Sequence, residues 1–128
     1  MILAVDLGQK TTGLAISHGQ LATPYSTITY SSTNKALDKI VDIIEQENID
    51  TVILGFVEGK IKPMFERFAQ KLTKAKPNLK VILWDETLTS RQATESMVKL
   101  GIAKTRRAER RHEVAAALIL QSYLDSHD

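Results

Sequence analysis

The 128-residue sequence contains no cysteine, which removes disulfides and thiolate metal ligation from the chemistry available to it. No apolar run approaches the roughly 20 residues that cross a bilayer as a helix. No basic region precedes the short apolar run at the N-terminus, so neither a membrane partner nor a signal peptide is expected, and a cytoplasmic location is. Repeats, low-complexity tracts and linkers are also missing. A hydrophobic content of 43% suffices for one globular domain over residues 1–128 with its own core. A Walker A loop is excluded, because Gly8-Gln9-Lys10-Thr11-Thr12-Gly13 continues into Leu14 where a lysine is required. The net charge of +2 is too small to imply a nucleic-acid partner by itself. Its distribution is uneven, with Lys104, Arg106, Arg107, Arg110 and Arg111 concentrated in residues 104–111 against one acid, Glu109.

The most informative feature present is Asp6. It closes the apolar run Ile2-Leu3-Ala4-Val5, which reads as a buried strand, and the chain turns directly after it at Gly8. A carboxylate is thereby delivered to the mouth of a sheet. Gly8 and Gly13 bracket the following turn and allow backbone to approach a ligand closely. A strand, an acid, a glycine-containing hairpin and a second strand point to phosphate or metal chemistry.

The remaining elements alternate. Strands are predicted over Ile2 to Asp6, Thr12 to Ser17 and Pro24 to Tyr30, the last two separated by a turn at His18-Gly19-Gln20. Leu37, Ile40, Val41 and Ile44 recur at helical spacing in a segment from about Thr33 to Glu47. Thr51 to Leu54 forms a strand ending at Gly55; Met64, Phe65, Phe68 and Leu72 mark a helix; Lys80 to Trp84 forms a strand ending in Asp85-Glu86. Thr89-Ser90-Arg91-Gln92 has capping-box form and begins a helix that stops near Gly101. Val114 to Leu124 is nearly all apolar and predicts a helix buried on most faces, with His127 in a frayed C-terminus. The expected fold is therefore α/β. It is a ribonuclease H-like mixed sheet of five strands, three antiparallel and then two parallel, flanked by helices. In such a sheet Asp6, Gly55 and Asp85-Glu86 emerge at one carboxyl edge, where α/β sheets bind ligands.

Four segments carry a family resemblance over essentially the whole length. They are Asp6-Leu7-Gly8 through Gly13-Leu14-Ala15-Ile16-Ser17, Val52-Ile53-Leu54-Gly55 with Gly59, Asp85-Glu86-Thr87-Leu88-Thr89-Ser90 with Ala93, and Ala115 through Leu124. In order and spacing they resemble the YqgF-type (RuvX-type) family of Holliday junction resolvases, also described as pre-16S ribosomal RNA nucleases. The resemblance implies a metal-dependent endonuclease acting on structured RNA or branched DNA. It implies Mg²⁺ or Mn²⁺ as the cofactor, with Asp6 as a ligand shared by two metals and Glu86 as the second ligand, Asp85 being the fallback. A resolvase that acts on two strands is expected to work as a homodimer, whereas an RNA-processing enzyme need not.

Three departures from the family pattern stand out. His112 occupies the place of the usual aspartate at the start of the closing helix, where it is either a softer metal ligand or a proton carrier. Glu109 and Glu113 are adjacent alternatives for the missing charge, although a first-turn position against the helix dipole accounts for both. Thr11 and Thr87 each replace an arginine. Lys10 and the cations Lys104, Arg106, Arg107, Arg110 and Arg111 are candidate phosphate contacts that position a backbone without reading bases. A solvated surface role is the better account of Lys10, and an Asx-type turn would account for Asp6 alone. Two other functions compete. The actin and sugar-kinase type of phosphate loop resembles Asp6 to Gly13 but needs a second domain. The other reading keeps the fold as a non-catalytic nucleic-acid- or protein-binding module after loss of the third acid.

Overall fold

The structure, a computed structural model, describes residues 1–86 and 111–127, with Arg111 through its backbone alone. The helix expected from Thr89 to Gly101 and most of the basic stretch lie outside these residues. Five strands are formed: β1 (Ile2–Leu7), β2 (Thr11–Ser17), β3 (Thr23–Thr29), β4 (Thr51–Phe56) and β5 (Lys80–Asp85). Three helices accompany them among the described residues: α1 (Thr33–Gln46), α2 (Lys62–Ala75) and α3 (Arg111–Ser126). No helix among the described residues is long and apolar enough to cross a membrane.

The strands form one sheet in the order β3-β2-β1-β4-β5. β1 pairs antiparallel with β2 and parallel with β4, and β5 runs parallel to β4. This is the mixed sheet expected from the sequence, and it aligns the carboxyl ends of β1, β4 and β5 along one edge.

Side-chain alternation divides the core in two. Leu3, Val5 and Leu7 of β1, with Leu14, Ile16, Val52 and Leu54, face α1 and α2, whose buried positions are Ala36, Ile40, Ile44, Phe65, Phe68 and Leu72. These helical positions repeat at the amphipathic spacing read from the sequence. Ser32 caps α1 through its side chain, which accepts from the Lys35 amide, and Pro63 lies in the first turn of α2, where its missing N–H costs nothing. The opposite face carries Ala4, Ala15 and Ile53, and α3 covers it with Val114, Ala116, Ala117, Ile119, Leu120 and Tyr123. Small residues meet small residues there, so the helix can approach the sheet closely.

The closing helix departs from its expected character in two ways. Gln121 is 2% exposed, yet it is fully engaged: its Oε1 accepts from the Ala22 amide at 2.9 Å, and its Nε2 donates to the Gln20 carbonyl at 3.1 Å and to Asp125 Oδ1 at 2.9 Å. A side chain inside an apolar run thus latches α3 to the β2–β3 turn. His127, expected in a frayed end, instead stacks on Tyr123 at 4.1 Å, and Tyr123 meets Trp84 edge-on at 5.5 Å. Replacing Gln121 with Leu strands the Ala22 N–H and the Gln20 carbonyl. Urea denaturation should show a loss of about 1 to 3 kcal/mol.

Candidate active site

Asp6 stands beside two residues without side chains, Gly13 on β2 and Gly55 on β4, which are its register partners. Period-two alternation places it with Ile2 and Ala4 on the α3 face. Gly13 admits the helix: a Cβ there would lie 1.8 Å from the His112 carbonyl oxygen and 2.8 Å from the Glu113 nitrogen. Gly55 admits the second acid: a Cβ there would lie 2.6 Å from Ile119 Cδ1 and 3.4 Å from Glu86 Oε1. Glu86 thus extends past Gly55 toward Asp6, with which it shares a hydrogen bond.

The pairing has an electrostatic cost that appears in the ionisation of Glu86. Burial, then the hydrogen bond to Asp6 and its negative charge, then the charge of Asp85, push the Glu86 carboxyl up to about 7. At neutral pH the two acids therefore hold a shared proton for much of the time. Asp85 points elsewhere. Alternation along β5 places it with Val81 and Leu83, on the side of α2, where its charge helps hold the Lys62 ammonium above its usual value after the larger effect of Glu58. Neighbouring residues at a strand end are thus separated by the sheet itself.

The turn that follows Asp6 is braced from the third strand. A Cβ on Gly8 would lie 2.5 Å from the Thr11 carbonyl oxygen, so the turn is too tight for any other residue without rearrangement. The Tyr30 hydroxyl donates to the Gly8 carbonyl, so it is the Thr12 hydroxyl that donates to Tyr30, at 2.6 Å. The Tyr30 amide donates to the Lys10 carbonyl at 3.0 Å. Burial raises the Tyr30 hydroxyl pKa, the Thr12 and Gly8 hydrogen bonds oppose the rise, and the charge of Asp6 adds to it. The sequence assigned Gly8 and Gly13 to close approach of a ligand. The structure corrects this, because the backbones of Thr11 and of His112 and Glu113 take those spaces.

The structure therefore brings Asp6 and Glu86 together and lays the first turn of α3 beside them. His112 is partly buried there, next to the buried Glu113. Among the described residues no three His, Asp or Glu side chains gather as a metal site; the pair is the cluster. Lys10 is exposed in the β1–β2 turn, and Arg111 begins α3. Lys104, Arg106, Arg107, Arg110 and Glu109 lie outside the described residues. Tyr30 escaped the sequence reading, since nothing in a tyrosine at a strand end signals which carbonyl it will reach.

A sheet of this order with helices on both faces is the ribonuclease H-like fold, here with a carboxylate pair at the ends of its parallel strands. The Thermus thermophilus RuvC in complex with a Holliday junction substrate superposes with a TM-score of 0.66 at 10% identity, covering 99% of this chain and 96% of that one. Fowlpox virus resolvase, in complex with Holliday junction DNA, gives 0.63 at 18% identity over 98% and 97% of the two chains. At those identities the likeness establishes the fold. The particular family follows from sequence: this chain belongs to the RuvX family of Holliday junction resolvases, whose model matches residues 1–126. A Staphylococcus aureus protein named as a candidate pre-16S rRNA nuclease is 33% identical, over 98% of this chain and 95% of its own length.

The two glycines make different predictions. Gly13→Ala sets Cβ against backbone and should cost about 3 kcal/mol in urea unfolding, whereas Gly55→Ala meets a movable Ile119 methyl and should cost about 1 kcal/mol. Ionisation gives a further expectation. Glu86 holds its proton more tightly folded than unfolded, so its contribution to stability is complete below pH 4.5 and is lost as pH rises through about 7. Urea midpoints of the metal-free protein measured from pH 4.5 to 8 should therefore fall less steeply in Glu86→Gln than in the wild type. Parallel curves would contradict the assignment.

Proposed function

We propose that this protein is a metal-dependent endonuclease, one nuclease domain over residues 1–128 acting in the cytoplasm on phosphodiester bonds of structured nucleic acid. The observation that carries this reading is the Asp6–Glu86 pair at the carboxyl edge. Two carboxylates that share a proton at neutral pH are a donor set of hard oxygens that a divalent cation would relieve of mutual repulsion, which fits Mg²⁺ or Mn²⁺. When bound, such cations neutralise charge on the phosphate and lower the pKa of an attacking water. Asp6 and Glu86 would hold them. His112, in the first turn of α3, stands on the same side as a third donor or as a proton carrier near neutral pH. Asp85, on the α2 side of β5 by strand alternation, is the weaker candidate for direct ligation.

The substrate reading rests on relatives. Precursor ribosomal RNA is the substrate named for the Staphylococcus aureus protein, and Holliday junction DNA accompanies the two solved structures. Both present the same phosphodiester to the carboxylates. Lys10 and the cations Lys104, Arg106, Arg107, Arg110 and Arg111 would hold the backbone beside the site by neutralising phosphates. On the junction reading, two copies would cut two strands.

The test is cleavage of a four-way DNA junction and of precursor ribosomal RNA with Mg²⁺ and with Mn²⁺, comparing wild type with Asp6→Asn and Glu86→Gln. We expect each substitution to reduce cleavage at least about a hundredfold, since each removes a ligand from the charge-stabilising site. Equal cleavage by all three proteins would place the activity elsewhere. Titration of Mn²⁺ should show weaker binding at pH 6 than at pH 8, because protons compete for Glu86 below its value of about 7.

A further inference from the structure

Both α1 and α2 begin at the edge that carries Asp6 and Glu86, on the face of the sheet opposite α3. We infer that the groove between the first turn of α1 and the middle of α2, flanked by Arg67, Lys71 and Lys35, is a second contact surface for the phosphodiester backbone of the nucleic acid. This rests on the nuclease reading for the substrate's identity and on separate residues for its contacts.

The groove is an indentation of about 60 Å³ lined by Thr33, Met64, Arg67, Phe68 and Lys71. Arg67 and Lys71 are four apart on α2, so their like charges are neighbours on one helix face, an arrangement that is mildly destabilising by itself. Both are exposed, and neither forms an ion pair among the described residues, although Asp38 and Glu66 lie on the same helices. Lys71 Nζ instead donates to Asn34 Oδ1 at 3.1 Å, which holds the ammonium beside the first turn of α1. That turn contains Lys35 and no acid, and the first turn of α2 contains no acid either. Positive charge is thus collected beside the first turn of α1 without a carboxylate within that turn.

Hydrogen bonds connect the groove to the candidate active site. Lys39 Nζ donates to the Thr29 carbonyl at 2.8 Å at the end of β3, and the Tyr30 amide donates to the Lys10 carbonyl at 3.0 Å in the turn after Asp6. Lys35 and Lys39 are four apart on α1, as Arg67 and Lys71 are on α2, so exposed cations form a strip from the groove toward the edge where Lys10 follows Asp6. An open, extended strip of exposed cations suits a long polyanion better than a small one, which needs an enclosed site. The carboxylate pair on the α3 face and the strip on the α1–α2 face share that edge. A branched or folded nucleic acid can meet both at once, with one segment at the carboxylates and another in the groove.

The experiment is equilibrium binding in metal-free buffer of a fluorescent four-way DNA junction and of a structured precursor ribosomal RNA fragment. It compares wild type with the double variant Arg67→Glu, Lys71→Glu and with the milder Arg67→Gln, Lys71→Gln. We expect the reversed pair to weaken binding of at least one probe about tenfold or more, and the neutral pair to reduce the salt slope by about 2. Affinities within about twofold of wild type for both probes, in variants with unchanged thermal unfolding, would overturn the inference. Binding is read without cleavage, so a wild type that binds and does not cut would defeat the nuclease reading and leave this one intact.

Discussion

The structure depends on how closely α3 can lie on the sheet. The surface beneath it is built from Gly13, Ala15, Ala4 and Gly55, and the helix answers with Ala116 and Ala117, all on the same face. Larger side chains on either surface would lift the helix and carry its first turn away from Asp6. The closeness is tightest at the active edge, where the His112 backbone occupies the space a Gly13 side chain would need. At the other end Gln121 holds the helix to the β2–β3 turn by two hydrogen bonds, with a third to Asp125 on the helix itself. A packing constraint and a polar latch together fix where the closing helix begins, and with it the position of His112.

The opposite face is constructed differently, and the difference has a functional meaning. Leu, Ile and Phe side chains fill the layer between the sheet and α1 and α2, which gives bulk stability from apolar burial. That layer supports the rigid β1–β2 hairpin, where Tyr30 and Thr12 fix the Gly8 carbonyl immediately beyond Asp6. Asp6 thus sits between a well-packed layer that holds its backbone and a glycine-lined space into which α3 and Glu86 fit. Glu86 enters that space from β5 and raises its own pKa by doing so. The arrangement is electrostatically unfavourable by itself, and carboxylates perturbed in this way concentrate at functional sites.

Membership of the RuvX family connects this geometry to nucleic-acid processing. The nucleic acids named for the proteins it resembles, Holliday junction DNA and pre-16S ribosomal RNA, have the phosphodiester in common. Discrimination must then come from surfaces around the site that respond to the shape and spacing of backbones.

Much of this was legible in the sequence. Apolar runs, turn residues and helical spacing determined the order of the elements and the mixed sheet, because each segment's periodicity matches the layer in which it is buried. Asp6 and Glu86 were legible because each closes an apolar strand, and parallel strands must end at one edge. Glu86 was already placed ahead of Asp85, and the tertiary structure supplied the reason, since strand alternation relative to α3 turns Glu86 and not its neighbour toward Asp6. Gly13 was visible as a glycine, but whether ligand or helix filled its space depended on contacts a hundred residues apart in the chain. Gln121 and Tyr30 were equally hidden: a polar side chain's partner is set by which backbone groups the fold leaves within its reach. Local pattern determined the elements and the acids, while long-range packing decided which of them meet.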